Sequence, residues 1–186
     1  MTTRSSSLRR LGLVSAGVLA VLAGAAGAAL LYAGSLRMAA ALLGIRVAFR
    51  QVAQISTAEL AAWRADPTRP TPLLLDVREP GEFAVSHLAG SRNIPWESDW
   101  STLLKETPKT QPIVVYCSIG YRSAVLARKL HAAGFVQVVN LEGSIFKWAS
   151  EGRPLIRPDG SAARVVHPYD ANWGRLIAPS LRAPLP

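Results

Sequence analysis

Ile113-Val114-Val115-Tyr116-Cys117-Ser118-Ile119-Gly120-Tyr121-Arg122-Ser123 begins with an unbroken apolar run, preceded by Pro112, and closes with small and polar residues. A short continuous apolar run bounded by such breakers suits a strand buried on both faces. Downstream, Leu126, Ala127, Leu130 and Ala133 recur at helical spacing, and Gly134 supplies a C-terminal cap. The spacing then predicts a strand over residues 136–139 and a helix over residues 143–151, stopped by Gly152 and Pro154. Upstream, residues 73–77 (L-L-L-D-V) form a second buried-strand candidate, followed by a turn over residues 79–82 (E-P-G-E). Ser56 to Glu59 reads S-T-A-E, a capping box that starts a helix, and the Pro-rich residues 67–72 end it. Strands alternating with helices in this way predict an α/β fold with an open parallel sheet and helices on both faces.

The composition narrows the function classes. One cysteine in 186 residues excludes an internal disulfide framework and a cysteine-based zinc cluster; no metal site is expected. The net charge of +9 suggests a nucleic-acid partner until its distribution is read: residues 1–50 carry six Arg and no acid, and the remainder only +3. No nucleic-acid binding is expected, because no basic stripe interleaved with aromatics follows.

Residues 11–34 are 24 consecutive uncharged positions rich in Ala, Leu, Val and Gly, preceded by Arg9 and Arg10. A helix of that length rises about 36 Å, enough for a hydrocarbon core of about 30 Å. The expected organisation is therefore a basic, hydrophobic N-terminal segment over residues 1–50 that anchors the chain as a single pass, a catalytic domain over residues 51–157, and a tail over residues 158–186. A cleaved signal peptide competes with the anchor, since Ala23 and Ala25 form an A-x-A pattern. Placement on the exported, periplasmic side is favoured, although Arg37, Arg46 and Arg50 balance the Arg residues before the segment. Residues 36–49 are too short to span; they prolong the helix or lie on the membrane surface.

Chemistry is expected at Cys117. It ends a central strand, on the sheet edge where open α/β sheets bind ligands, and the next residues open a helix whose N-terminal amides and dipole favour the thiolate. A lone Cys in an apolar strand is usually an inert hydrophobe. The Gly and Arg that follow at fixed offsets, as C-x-x-G-x-R-S, make the signal more specific. Gly120 lets the backbone bend, and Arg122 is expected to fold back over an anion on the sulfur.

These residues resemble the rhodanese family of sulfurtransferases. The resemblance spans residues 54–155 and rests on I-S-T-A-E-L, then L-L-L-D-V-R-E-P-G-E-F-A-V-S-H-L-A-G-S-R-N-I-P, then I-V-V-Y-C-S-I-G-Y-R-S, then A-A-G-F-V-Q-V-V-N-L-E-G-S. It implies Cys117 as the catalytic residue and Ser118, Ile119, Gly120, Tyr121, Arg122 and Ser123 as the substrate-binding loop. It also implies that a sulfane sulfur passes as a cysteine persulfide from a donor such as thiosulfate to a thiol or cyanide. No cofactor is implied, because the sulfur travels covalently on the protein. Phosphatases and arsenate reductases of similar fold place one residue more between Cys and Arg than the four found here, so sulfur transfer is favoured over phosphoryl or arsenate chemistry. The alternative is a membrane-tethered persulfide carrier that delivers sulfur to a partner protein. Asp76, Arg78 and Glu82 are read as loop braces, Trp148 and Phe146 as core, and His87 as neither base nor ligand. Ser144, where the family often has a second Gly, is expected to alter the helix entry without touching Cys117.

Overall fold

The structure is a computed structural model that describes residues 33–185. Most of the expected anchor lies outside the described residues, and among those described no helix is long and apolar enough to cross a membrane. The first element is a helix, α1, over residues 33–48. Then follow β1 (Gln54–Ile55), α2 (Thr57–Ala65), β2 (Leu73–Asp76), α3 (Pro80–Val85), β3 (Ser91–Asn93), α4 (Trp100–Leu103), β4 (Ile113–Tyr116), α5 (Tyr121–Ala132), β5 (Val138–Leu141) and α6 (Ser144–Ser150).

All five of these strands are parallel, in the order β1-β5-β4-β2-β3. The Ile-Val-Val-Tyr run of β4 lies in the middle and is buried throughout, as a strand covered on both faces requires. Leu74 and Val139 flank Val114 in register. Helix α5 packs on β4 and β5, and α2 packs against α6. The Ser56 side chain and Glu59 form the expected capping box of α2.

Three local readings change. Residues 79–82 are not a simple turn: Pro80 occupies the first turn of α3 and Glu82 closes a capping box with Glu79. Proline's fixed φ suits it to start a helix as well as a turn. Strand β5 begins two residues later than the pattern suggested. Gly134, at φ +88°, ends α5 in a Schellman arrangement: its N–H bonds His131 O at 2.9 Å and that of Phe135 bonds Leu130 O at 3.1 Å. The chain leaves that motif before extending, so Val136 is exposed while Asn140 and Leu141 enter the sheet, buried. Strands β1 and β3 are short and carry no apolar run, so periodicity gave no sign of them.

The tail, for which no period could be found, is folded onto the body. Strands β6 (Leu155–Ile156) and β7 (Ala162–Ala163) pair antiparallel, Val166 bridges Arg182, and two 3-10 turns cover Trp173–Leu176 and Pro179–Leu181. Val166 and Ile177 join the core from the tail, as do Ile45 and Phe49 from the region of α1.

At the carboxyl end of β2, Asp76 and Arg78 are buried without residual exposure. Arg78 donates to the carboxylate through Nε (2.9 Å) and Nη2 (2.6 Å), and its remaining donors reach Glu82 O (3.3 Å) and Ser86 O (2.7 Å). A buried ion pair that is fully hydrogen-bonded fixes geometry, and removing one partner strands a charge. Asp76→Ala is therefore expected to lower the unfolding free energy by about 3–5 kcal/mol, read from urea titrations. A loss under about 1 kcal/mol, the scale of a surface pair, would contradict this brace.

Candidate functional site

Cys117 follows the last residue of β4, and Tyr121 begins α5. The chain therefore turns from strand to helix within four residues, which requires one residue at positive φ. Gly120 takes it, at φ +116°, as the N-cap of α5. A Cβ there would also lie 3.3 Å from Asn140 Nδ2. This geometry directs the Gly120 N–H at the Cys117 sulfur, with N···Sγ 3.1 Å.

The loop is held from three sides. The Gly120 carbonyl accepts from Asn140 Nδ2 at 3.1 Å, and the same amide nitrogen donates to Gln54 Oε1 at 2.9 Å. The carbonyls of Cys117 and Ser118 accept from Ile145 N (3.2 Å) and Phe146 N (3.1 Å), two first-turn amides of α6 that have no partner within their own helix. Cys117 N donates to Ser144 Oγ at 3.1 Å, and that hydroxyl donates to Leu141 O at 3.0 Å. Ser144 thus touches Cys117 directly, contrary to the sequence reading. It adopts φ +48°, a conformation that Gly would take freely, and its buried hydroxyl supplies a bond that a Gly could not.

Arg122 is also placed differently from expectation. Its two terminal nitrogens meet the Glu82 carboxylate at 2.8 and 2.9 Å, and Nη2 also donates to Ser118 Oγ at 3.0 Å. The forked pair ties α5 to α3 and holds the loop between them. Burial opposes the cation, but Glu82, with Cys117 and Tyr169, more than restores it. The guanidinium lies 4.8 Å from the centre of the Tyr169 ring. Glu82 is 4% exposed; burial alone would raise its carboxyl, yet Arg122, the Glu79 N–H and the Arg78 charge hold it below the ordinary range.

The predicted loop residues separate into groups. Cys117, Ser118, Ile119, Tyr121 and Arg122 line one cavity of about 490 Å³. Gly120 shapes the loop. Ser123 is buried in α5 and does not line that cavity, and its hydroxyl has no hydrogen-bond partner among the described residues. Asp76 and Arg78 pair at the end of β2 and do not line the cavity. Cys117 itself is 1% exposed, so its sulfur is reached through the cavity. Among the described residues no group of three His, Cys, Asp or Glu is placed to hold a metal ion.

Sequence reasoning missed the other walls. Ala41, Gly44, Ile45 and Ala48 come from α1, and Tyr169 and Trp173 from the tail. Residues 36–49 were expected to prolong the anchor helix or lie on a membrane surface, whereas Ile45 and Phe49 are buried against the domain; a tail without periodicity gives no sign of where it docks.

Residues 56–151, over half of the chain, match the family model described as Rhodanese-like domain. The chain belongs to the rhodanese-like family. It is 34% identical over 88 residues to a sulfurtransferase of Allochromatium vinosum, an alignment covering 47% of this chain and 81% of that protein. It is 31% identical over 91 residues to thiosulfate sulfurtransferase 16, chloroplastic, of Arabidopsis thaliana, covering 43% of this chain and 76% of that one. The fold matches the crystal structure of a rhodanese-like domain protein from Staphylococcus aureus, with a TM-score of 0.50 at 28% identity over 57% of this chain and 98% of the other. The matched residues begin after α1 and end before the tail, so both of those segments lie outside the family match.

Because the folded state holds Glu82 ionised below its ordinary value of 4.5, its contribution is present above that value and is lost as pH falls through the lowered one. Glu82→Gln is expected to be clearly less stable than the parent at about pH 7, with the gap narrowing toward about pH 3 in urea titrations. A gap unchanged across that range would show that the carboxylate charge does not hold the loop.

Proposed function

We propose that this rhodanese-like domain is a sulfurtransferase that carries a sulfane sulfur on Cys117. The observation behind the reading is the Gly120 N–H aimed at Sγ inside a Cys-to-Arg loop of four residues. An amide N–H aimed at Sγ is a donor that a sulfur anion, including a persulfide's, can accept from. The short loop suits one further sulfur atom better than an oxyanion tetrahedron.

Two half-reactions follow. The Cys117 thiolate attacks the outer sulfur of thiosulfate; the new bond is Sγ–S, the old S–S bond breaks, and its electron pair leaves with sulfite. An acceptor nucleophile then attacks the outer sulfur of the persulfide, and the electron pair of the Sγ–S bond returns to Cys117 as thiolate. No net oxidation occurs, and the protein itself carries the intermediate. The acceptor comes from outside, because Cys117 is the chain's one cysteine. The uncharged run over residues 11–34 supports a domain tethered at a membrane, and tethering favours a second reading, a carrier that hands sulfur to a protein partner.

Steady-state thiocyanate formation from thiosulfate and cyanide is expected to show parallel double-reciprocal lines, the sign of a ping-pong cycle. Cys117→Ser is expected to reduce it to the uncatalysed background while leaving the thermal unfolding transition in place. Turnover retained in that variant would overturn the assignment. A persulfide that forms but turns over only with a protein acceptor would favour the carrier.

A further inference from the structure

We infer that the sulfur acceptor of this site is a thiol with an apolar body, aromatic or aliphatic, seated between α1 and the tail. The inference deepens the sulfur-transfer reading and rests on it. The cavity of about 490 Å³ falls in the range of sites that enclose organic ligands of some size. A two-atom cyanide or a thiosulfate ion would leave most of it to water against apolar walls.

Those walls are specific. Gly44 and Ala48 of α1 give room, while Ile45, Ile119, Tyr169 and Trp173 supply apolar surface. Arg122 is the one charged residue lining the cavity among the described residues, and Glu82 already neutralises it. A polar thiol bearing several charges would lose hydration there without gaining a free counter-charge. An apolar body gains by leaving water, and its sulfur needs only to reach Cys117.

The tail is built for this place rather than draped over it. Tyr169 is held at φ +67°, a costly conformation for a bulky residue, with its N–H on His167 Nδ1 at 3.1 Å and its ring over Arg122. Asp170 Oδ1 accepts from the Trp173 backbone N–H at 2.8 Å and so fixes the backbone that carries the second ring. The two walls meet: a Cβ on Gly34 of α1 would lie 3.2 Å from Arg175 O in the tail. On α1, Phe49 follows the helix and stacks edge-on against Tyr121 at 5.3 Å.

In the step proposed, the acceptor thiolate attacks the outer sulfur of the Cys117 persulfide. The product is the acceptor's own persulfide, and Cys117 is released as thiolate, with no oxidant consumed. The test uses the full chain, loaded with thiosulfate and freed of excess donor. Loss of persulfide is timed with benzyl mercaptan and with 2-mercaptoethanol, thiols of similar acidity, and each rate is divided by that for a free small-molecule persulfide to remove intrinsic reactivity.

The corrected ratio is expected to favour benzyl mercaptan by about ten- to a hundred-fold. Gly44→Phe, at a position whose Cβ would meet nothing within 4 Å, is expected to fill the cavity and lower that ratio at least about fivefold. Trp173→Ala, which removes an exposed wall, is expected to lower it as well. A corrected ratio near one in the parent protein, a faster reaction with glutathione, or a ratio unmoved by both variants would overturn the inference and leave sulfur transfer standing. Failure of thiosulfate to load any persulfide would instead remove the sulfur-transfer reading and this inference with it.

Discussion

A chain that leaves a buried strand and enters a helix within four residues turns more peptide N–H groups inward than it can pair along its own backbone. In this protein one of them, from Gly120, meets the sulfur of Cys117. The positive φ of Gly120 makes that approach possible. Neighbouring elements then fix it: Asn140 on β5 holds the Gly120 carbonyl, and α6 takes the carbonyls of Cys117 and Ser118. The central position of β4, buried and paired on both sides, gives these groups a rigid base.

Charge is used mainly to stiffen this arrangement. Asp76 and Arg78 close the end of β2, and Arg78 reaches on to backbone carbonyls of α3 and beyond. Glu82 of α3, held from below in this way, clamps Arg122 of α5. The two pairs form a relay from a neighbouring strand to the Cys117 loop, with no member required to exchange a proton. Arg122 thereby serves as a positioning residue, its hydrogen bonds going to Glu82 and Ser118.

The sequence was most legible where local rules and burial agree. The apolar runs of β2 and β4, the Ser56 capping box and the Gly134 cap all appear at their expected places, within a residue or so. The C-x-x-G-x-R-S spacing located the loop and its glycine. Partners set by tertiary contact were not legible. Nothing local ties Arg122 to Glu82, 40 residues earlier, or Gly120 to Asn140, 20 residues later. Ser144 was read as a mild departure because its bond to Cys117 depends on how α6 docks. The walls supplied by α1 and by Tyr169 and Trp173 were invisible for the same reason. Short strands such as β1 and β3 exist because the sheet offers them partners, not because two or three residues announce a strand.

Together these features describe a Cys117 loop within the rhodanese-like region, roofed by α1 and tail segments that lie outside the residues matched to that family. In the proposed reading, the loop sets what is carried and the roof what can approach. The most direct measurement is intact-mass spectrometry of the purified protein after thiosulfate treatment. The account predicts a gain of one sulfur, about 32 Da, that cyanide removes. An unchanged mass, or a gain that cyanide leaves in place, would contradict it.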